Sequence, residues 1–354
     1  MNARVFSFLA FLALFLGDAP VEAQLWKVQT SGIDSNLRGV SAVYVPDAKA
    51  DGAPVPVVWG SGSNGVILKS LDGGETWQRL HVADSDALDF RGIVAFNARI
   101  AYVMSSGEGD KSRIYKTTDG GATWVLQFSA SYKEFFLDSI ACLSDKLCFV
   151  LGDPVNGKFL LLGTNDGEHW GQLATFQMPM SLPGESAFAA SNSCLALSGK
   201  EIFFATGGPV ARVFHSKNLG RTWSVVNTPM LHGNASSGIF SIARLSGAEP
   251  PSLVVVGGDY QNPARNSSVA AFSADRGRAW KLSKRQPAGF RSAVASLGSS
   301  RLVAVGPNGE EISEDGGVHW KQTDSLNLNA LAALDAEHVW AVGPHGTIAR
   351  FVNH

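Results

Sequence analysis

Charge is scarce in this chain. Only 17% of its residues are Asp, Glu, Lys or Arg, and they balance to a net charge of -2. Without a basic bias the electrostatic footprint of a nucleic-acid binder is missing, so no nucleic-acid partner is expected. Cysteine is nearly absent, at three residues whose spacing does not make a zinc site. No long apolar run follows the N-terminus, so the mature chain is expected to have no membrane span. No Walker, dinucleotide-binding or HExxH pattern occurs. The eight histidines are scattered. No cofactor and no metal centre are therefore expected.

The N-terminus is the exception to the missing apolar runs. One basic residue in positions 1–4 precedes an apolar stretch at 5–17 (VFSFLAFLALFLG), and small residues stand at Val21 and Ala23. That is the layout of a secretory signal cut after Ala23. The run is shorter than the ~20 residues a membrane-spanning helix requires. The expected organisation is a signal peptide at 1–23 and one domain at 24–354, exported to a periplasmic or extracellular space.

Glycine, in contrast, is abundant at 38 residues, and hydrophobic residues reach 45%. The combination predicts many short strands with tight turns. An internal repeat dominates the chain. Residues 70–77 (SLDGGETW) recur at 117–124 (TTDGGATW), 163–170 (GTNDGEHW), 216–223 (SKNLGRTW), 273–280 (SADRGRAW) and 313–320 (SEDGGVHW). The third residue is Asp or Asn, the fifth Gly and the eighth Trp; Gly163 is the sole departure at the first position. An Asp or Asn side chain can accept hydrogen bonds from turn amides, and Gly supplies a positive φ without steric cost. These carboxylates read as structural.

The tryptophans lie 47, 46, 53, 57 and 40 residues apart, near the length of a four-stranded propeller blade. After Trp320 three further strands lack a closing Trp, whereas residues 25–28 (LWKV) form a lone Trp-bearing strand. Pairing the two ends completes a seventh blade and removes the free sheet edges. The expected fold is all-β: a seven-bladed β-propeller whose last blade is closed by the N-terminal strand. Cys142 and Cys148 flank a short turn, and two readings stay open for them: a disulfide across a hairpin, or two small core residues.

Aligning the first strand of each blade on the repeat puts a polar residue at one position in every blade: Arg38, Arg91, Asp138, Glu185, Ser237, Arg291 and Asn329. First strands line a propeller's channel, so these seven are expected to ring one mouth. Loops bearing Asp153, Arg212, Asp259, Tyr260 and His345 open on that face. In one reading the ring is structural, with pairs such as Arg91 and Asp138 neutralising each other. In the other it binds a protein or an anionic, carboxylate-bearing ligand, because arginine grips carboxylates bidentately. Arg38 and Arg291, with no acidic neighbour in the ring, are the expected anion contacts.

The octapeptide is identified as an Asp-box, or BNR, repeat. Its spacing, the signal segment and the single propeller resemble the photosystem II stability/assembly-factor-like propellers over residues 25–351. The resemblance implies a non-catalytic scaffold that engages a protein through an Arg-rich patch, here Arg38, Arg91 and Arg291. More distantly the chain is similar to sialidase-type glycoside hydrolases, which would imply Tyr260 as nucleophile, Glu185 as its base and Asp153 as a further acid. The Arg-Ile-Pro motif of that family is absent.

Overall fold

The computed structural model describes residues 25–29, 31–46, 54–245, 247 and 252–352; the expected signal segment lies outside the described residues. Seven antiparallel sheets form, each a meander of four strands, and one of them gains a two-residue fifth strand at Gly207–Gly208. This is the seven-bladed β-propeller. From the channel outward, blades 1 to 7 begin with inner strands Leu37–Val45, Phe90–Ala95, Leu137–Cys142, Leu195–Ser198, Asn234–Arg244, Ala293–Ser296 and Ala330–Ala333. A single 3-10 turn, Gly109–Lys111, is the only helical element among the described residues.

The closure is as the sequence requires. Leu25–Gln29 becomes the outer strand of blade 7, with Trp26 opposite Phe351 and Val28 opposite Ala349. Trp26 is buried, lies edge-on to Phe351 at 5.1 Å, and its indole N–H donates to Glu310 of blade 6. Seven hydrophobic clusters fill the seven gaps between blades. Between blades 1 and 2, for example, Trp59 and Ile67 meet Phe90 and Val103. Strands buried on both faces explain the continuous apolar runs such as Leu253–Asp259 (LVVVGGD).

The octapeptide turn has a repeated hydrogen-bond pattern. In blade 1 the Ser70 hydroxyl donates to Asp72 at 2.7 Å and accepts from the Gly74 N–H at 2.7 Å. Asp72 then accepts from the Thr76 N–H at 3.0 Å and its hydroxyl at 2.6 Å. Blades 2, 4, 5 and 6 repeat the key bond to the seventh residue through Asp119, Asn218, Asp275 and Asp315. In these five turns the fourth residue takes positive φ whether it is Gly73, Leu219 or Arg276, but the fifth is always glycine. A Cβ at Gly74 would stand 2.5 Å from Gln29, and one at Gly121 2.4 Å from Leu80. Position five is fixed by backbone conformation and by the preceding blade together.

One sequence detail is corrected here. In blade 3 the turn starts at Thr164, not Gly163: Thr164 bonds Asp166, which accepts from His169 at 2.8 Å. The turn is one residue shorter before Trp170, and the apparent Gly at its first position disappears. Of the six repeat tryptophans, Trp320 is fully buried, whereas the other five are half-buried against the clusters. Cys142 and Cys148 face each other across the blade 3 hairpin and are joined as a disulfide. Cys194 is a buried free thiol. Among the described residues no helix is long and apolar enough to cross a membrane.

Candidate functional site

In a four-stranded meander the turn between the outer two strands lies at the end opposite the start of the inner strand. The octapeptide turns therefore occupy one face, and the inner strands begin at the other. At that second face a cavity of about 570 Å³ opens.

A recurrent backbone irregularity aims side chains into it. The register between first and second strands shifts at Arg38, Arg91 and Asp138, leaving each residue unpaired on a bulge. Blade 5 has the same shift, but at Phe240. All four line the cavity, joined by Ser292 of blade 6 and Asn329 of blade 7.

Blade 4 departs from the pattern. Its inner strand begins only at Leu195, and the residues before it cross the channel. The Ala189 carbonyl accepts from Arg91 of blade 2 at 3.1 Å, the Ser191 hydroxyl donates to the Ser292 carbonyl at 2.7 Å, and Asn192 accepts from the Ile140 N–H at 2.7 Å. Asn192 rests where a Cβ on Gly92 would come within 2.7 Å. This crossing segment floors the cavity with Ala187, Ala189 and Ala190. It also brings Phe188 flat against Phe240, ring centres 3.9 Å apart, with Phe290 edge-on to Phe240 at 4.7 Å and Tyr260 at 6.1 Å. The cavity thus has an aromatic wall and a charged wall.

The charged wall is unevenly satisfied. Arg91 pairs with Asp89 at 2.7 Å, not with Asp138. Arg38 makes no hydrogen bond or ion pair among the described residues, and its Nε is buried without a partner. Burial and the neighbouring Arg91 hold its guanidinium below the ordinary arginine value. Asp138 is 1% exposed, and its Oδ2 has no partner. Burial, reinforced by Asp153, pushes Asp138 well above the ordinary carboxyl range. Asp153 accepts from the Ala187 N–H at 3.0 Å, yet burial lifts it to about 6.

The remaining expected residues lie elsewhere. Arg291 is not in the ring. Ala293 pairs with Val305 as Ala330 pairs with Val342, so Ser292, not Arg291, is level with Asn329. A one-residue slip reverses a strand side chain, and Arg291 is fully buried in the wall with Nη2 2.9 Å from Glu311. Glu185 is also outside the cavity. Arg212 grips it through Nε at 2.8 Å and through Nη2, while the Thr206 hydroxyl donates at 2.6 Å. Glu185 faces a neighbouring cleft with Leu182 and Pro183. Ser237 is buried and bonds back to Asn234. Asp259 is absorbed by its own loop: burial alone would raise it, but donors on Ser236, Gln261 and Asn234 hold it below the usual carboxylate range. His345 is exposed and meets Asp34 at 3.0 Å. Tyr260 and Asp153 share the cavity, but Glu185, the base required by the glycosidase reading, lines the neighbouring cleft with Asp153 and away from Tyr260.

Phe188, Phe240, Phe290 and Ser292 were not anticipated from the sequence. The signal for one was present: residues 239–242 (IFSI) match 90–93 (FRGI) in pattern, with an aromatic where a polar residue was sought.

No family model and no curated protein matches the chain. Solved structures do. A structure titled "YCF48 bound to D1 peptide" superposes with a TM-score of 0.64 at 16% identity, covering 93% of this chain and 97% of that one. YCF48 from Cyanidioschyzon merolae gives 0.63 at 15% identity, covering 92% and 98%. The WD40 repeats of RRP9 give 0.61 at 12% identity, covering 95% and 99%. At these identities the likeness is one of fold.

Proposed function

We propose that the chain is an exported, non-catalytic scaffold that holds a peptide segment of a protein partner, or another carboxylate-bearing ligand, at the channel mouth. The observation that carries this reading is Arg38: a half-buried guanidinium whose Nε is buried without a partner, set in a cavity with an aromatic wall. Supplying a carboxylate there restores the hydrogen bonds that burial removed. A propeller of the same fold has been solved with a D1 peptide, which supports a peptide as the class of ligand. We take the octapeptide turns to be Asp-boxes on their sequence and their hydrogen bonds. Export is supported by the signal-like N-terminus and by the disulfide, which requires an oxidising compartment.

The test is capture from the host's envelope fraction with the mature protein and with Arg38→Glu, read by mass spectrometry. The expected result is a partner retained by the wild type and lost by a variant of unchanged melting temperature. Equal retention by the folded variant rejects Arg38 as the anchor. N-terminal sequencing of the native protein tests the cut after Ala23.

A further inference from the structure

The cavity has a second unsatisfied group, of opposite sign, and the peptide reading leaves it unused. Asp138 is buried, makes no hydrogen bond or ion pair among the described residues, and lines the cavity. Asp153 lines it as well, held by the Ala187 N–H at 3.0 Å and by the Ser186 side chain. The residue after Ala187 is Phe188, the first ring of the aromatic stack, so the carboxylates and the aromatic wall are neighbours.

Charge counting shows what is missing. Arg38 and Arg91 supply two positive charges; Asp89, Asp138 and Asp153 supply three negative ones when ionised. Arg91 is spent on Asp89 and the Ala189 carbonyl. Arg38 is the one cation left and it pairs with neither carboxylate, so the Asp138–Asp153 pair keeps at least one uncompensated negative charge when both ionise, in a wall where charge is costly.

We propose that Asp138 and Asp153 form a subsite for a cationic side chain, the ammonium of lysine or the guanidinium of arginine, on the peptide that the mouth holds. This rests on the peptide-binding reading and extends it to the partner's chemistry: a basic residue flanked by apolar ones. The ammonium donates to the orphaned Oδ2 and to Asp153, and its aliphatic stem lies along Phe188 and Phe240. Without the cation the two carboxyls cannot both ionise cheaply; with it they can. Binding therefore expels a proton and strengthens as pH rises through about 6, where Asp153 titrates. The groups facing Asp138 are Asp153, Arg91 and the buried Cys194 thiol, and the charged groups sharing clefts with Asp153 are Glu185, Glu108, Lys133 and Glu134. Burial, with Asp138 beside it, holds that thiol far above its ordinary value, so it stays protonated.

The experiment uses three capped pentapeptides, identical except for a central lysine, norleucine or glutamate between phenylalanines. Each is titrated calorimetrically into the mature protein at about pH 7.5 and about pH 5, either side of the Asp153 transition. The lysine peptide should bind at least about tenfold tighter than the norleucine peptide at the higher pH, the size of one charge-assisted contact. That ratio should shrink at the lower pH and vanish in Asp138→Asn. Two buffers of different ionisation enthalpy should reveal proton uptake by buffer on lysine-peptide binding, a readout that needs no variant. Asp153→Asn is the second variant should Asp138→Asn not fold. Equal binding of the lysine and norleucine peptides overturns the subsite while leaving peptide binding standing. Tightest binding of the glutamate peptide overturns it in favour of Arg38 as the anchor. Silence of all three overturns it too, and the envelope capture then decides the broader reading separately.

Discussion

The two faces of the propeller use the same residue in opposite ways. At the turn face Asp119 is drawn below the ordinary carboxyl value by the hydroxyl and N–H of Thr123, and Asp275 by the Ala279 N–H and Ser273. At the mouth Asp138 and Asp153 are driven upward by burial. The turns bond their Asp or Asn side chains locally and repeat the pattern from blade to blade. The mouth leaves polar groups unsatisfied, and its blades supply arginine, aspartate, phenylalanine, serine and asparagine in no regular order. Regular, self-satisfied polar groups build the scaffold; irregular, unsatisfied ones gather at the mouth, where we propose that a ligand binds.

Two arginines break or sharpen this contrast most strongly. Arg291 is buried against Glu311, so Arg291→Ala leaves an uncompensated carboxylate and should cost about 3–5 kcal/mol. Arg38→Ala removes a guanidinium that holds nothing, and should leave chemical-denaturation stability unchanged or slightly raised while abolishing ligand capture. If both substitutions destabilise alike, the mouth is structural and the contrast between the faces fails.

The blade 3 inner strand spans both faces, with Asp138 near one end and Cys142 at the other. Removing the disulfide with Cys142→Ser and Cys148→Ser should cost about 2 kcal/mol by the chain-entropy estimate for so short a loop. Peptide titration of that variant should match the wild type. Altered affinity would mean that the strand couples its two ends.

The scaffold was legible because it repeats. Trp spacing, the invariant fifth Gly and the orphan strand at residues 25–28 led directly to blade number and closure. The mouth was legible where a blade kept the common register: Arg38, Arg91, Asp138 and Asn329 line it. It was lost where the register changed. Arg291 slipped by one residue, and no local feature of Phe290-Arg291-Ser292 announces a slip. Phe240 was hidden because a polar residue was sought at its position. The crossing segment before Leu195 was invisible, since its bonds reach Arg91, Ile140 and Ser292, all distant in the chain.

A smaller effect tests the mouth carboxylates alone. A carboxyl raised in the folded state gives full stability below its unfolded value and loses it as pH rises toward the folded one. For the Asp138–Asp153 pair that decline runs upward from about pH 4, through about 6 for Asp153. Asp138→Asn removes the buried charge and keeps the shape. Thermal unfolding across this range should show a flatter decline and a gain of about 1 kcal/mol at the alkaline end. A steeper decline in the variant would show that Asp138 is stabilised as an anion.

The turn face should give the smallest change and the opposite slope. Burial alone would raise Asp72, but bonds from Thr76 and Ser70 outweigh it and hold the carboxyl below its ordinary value. A depressed carboxyl contributes stability above its unfolded value and loses it as pH falls through the folded one, so the loss begins below about pH 4. Asp72 is exposed, which screens the effect. Asp72→Ala should therefore cost less than about 1 kcal/mol near neutrality, through the lost turn bonds. The cost should fade in acid, where the wild-type carboxyl is itself protonated, and peptide affinity at the mouth should not move. Equal pH slopes for Asp72→Ala and Asp138→Asn would mean that the two faces share one electrostatic environment. The bonds of Asp72 and the orphaned oxygen of Asp138 require that they do not.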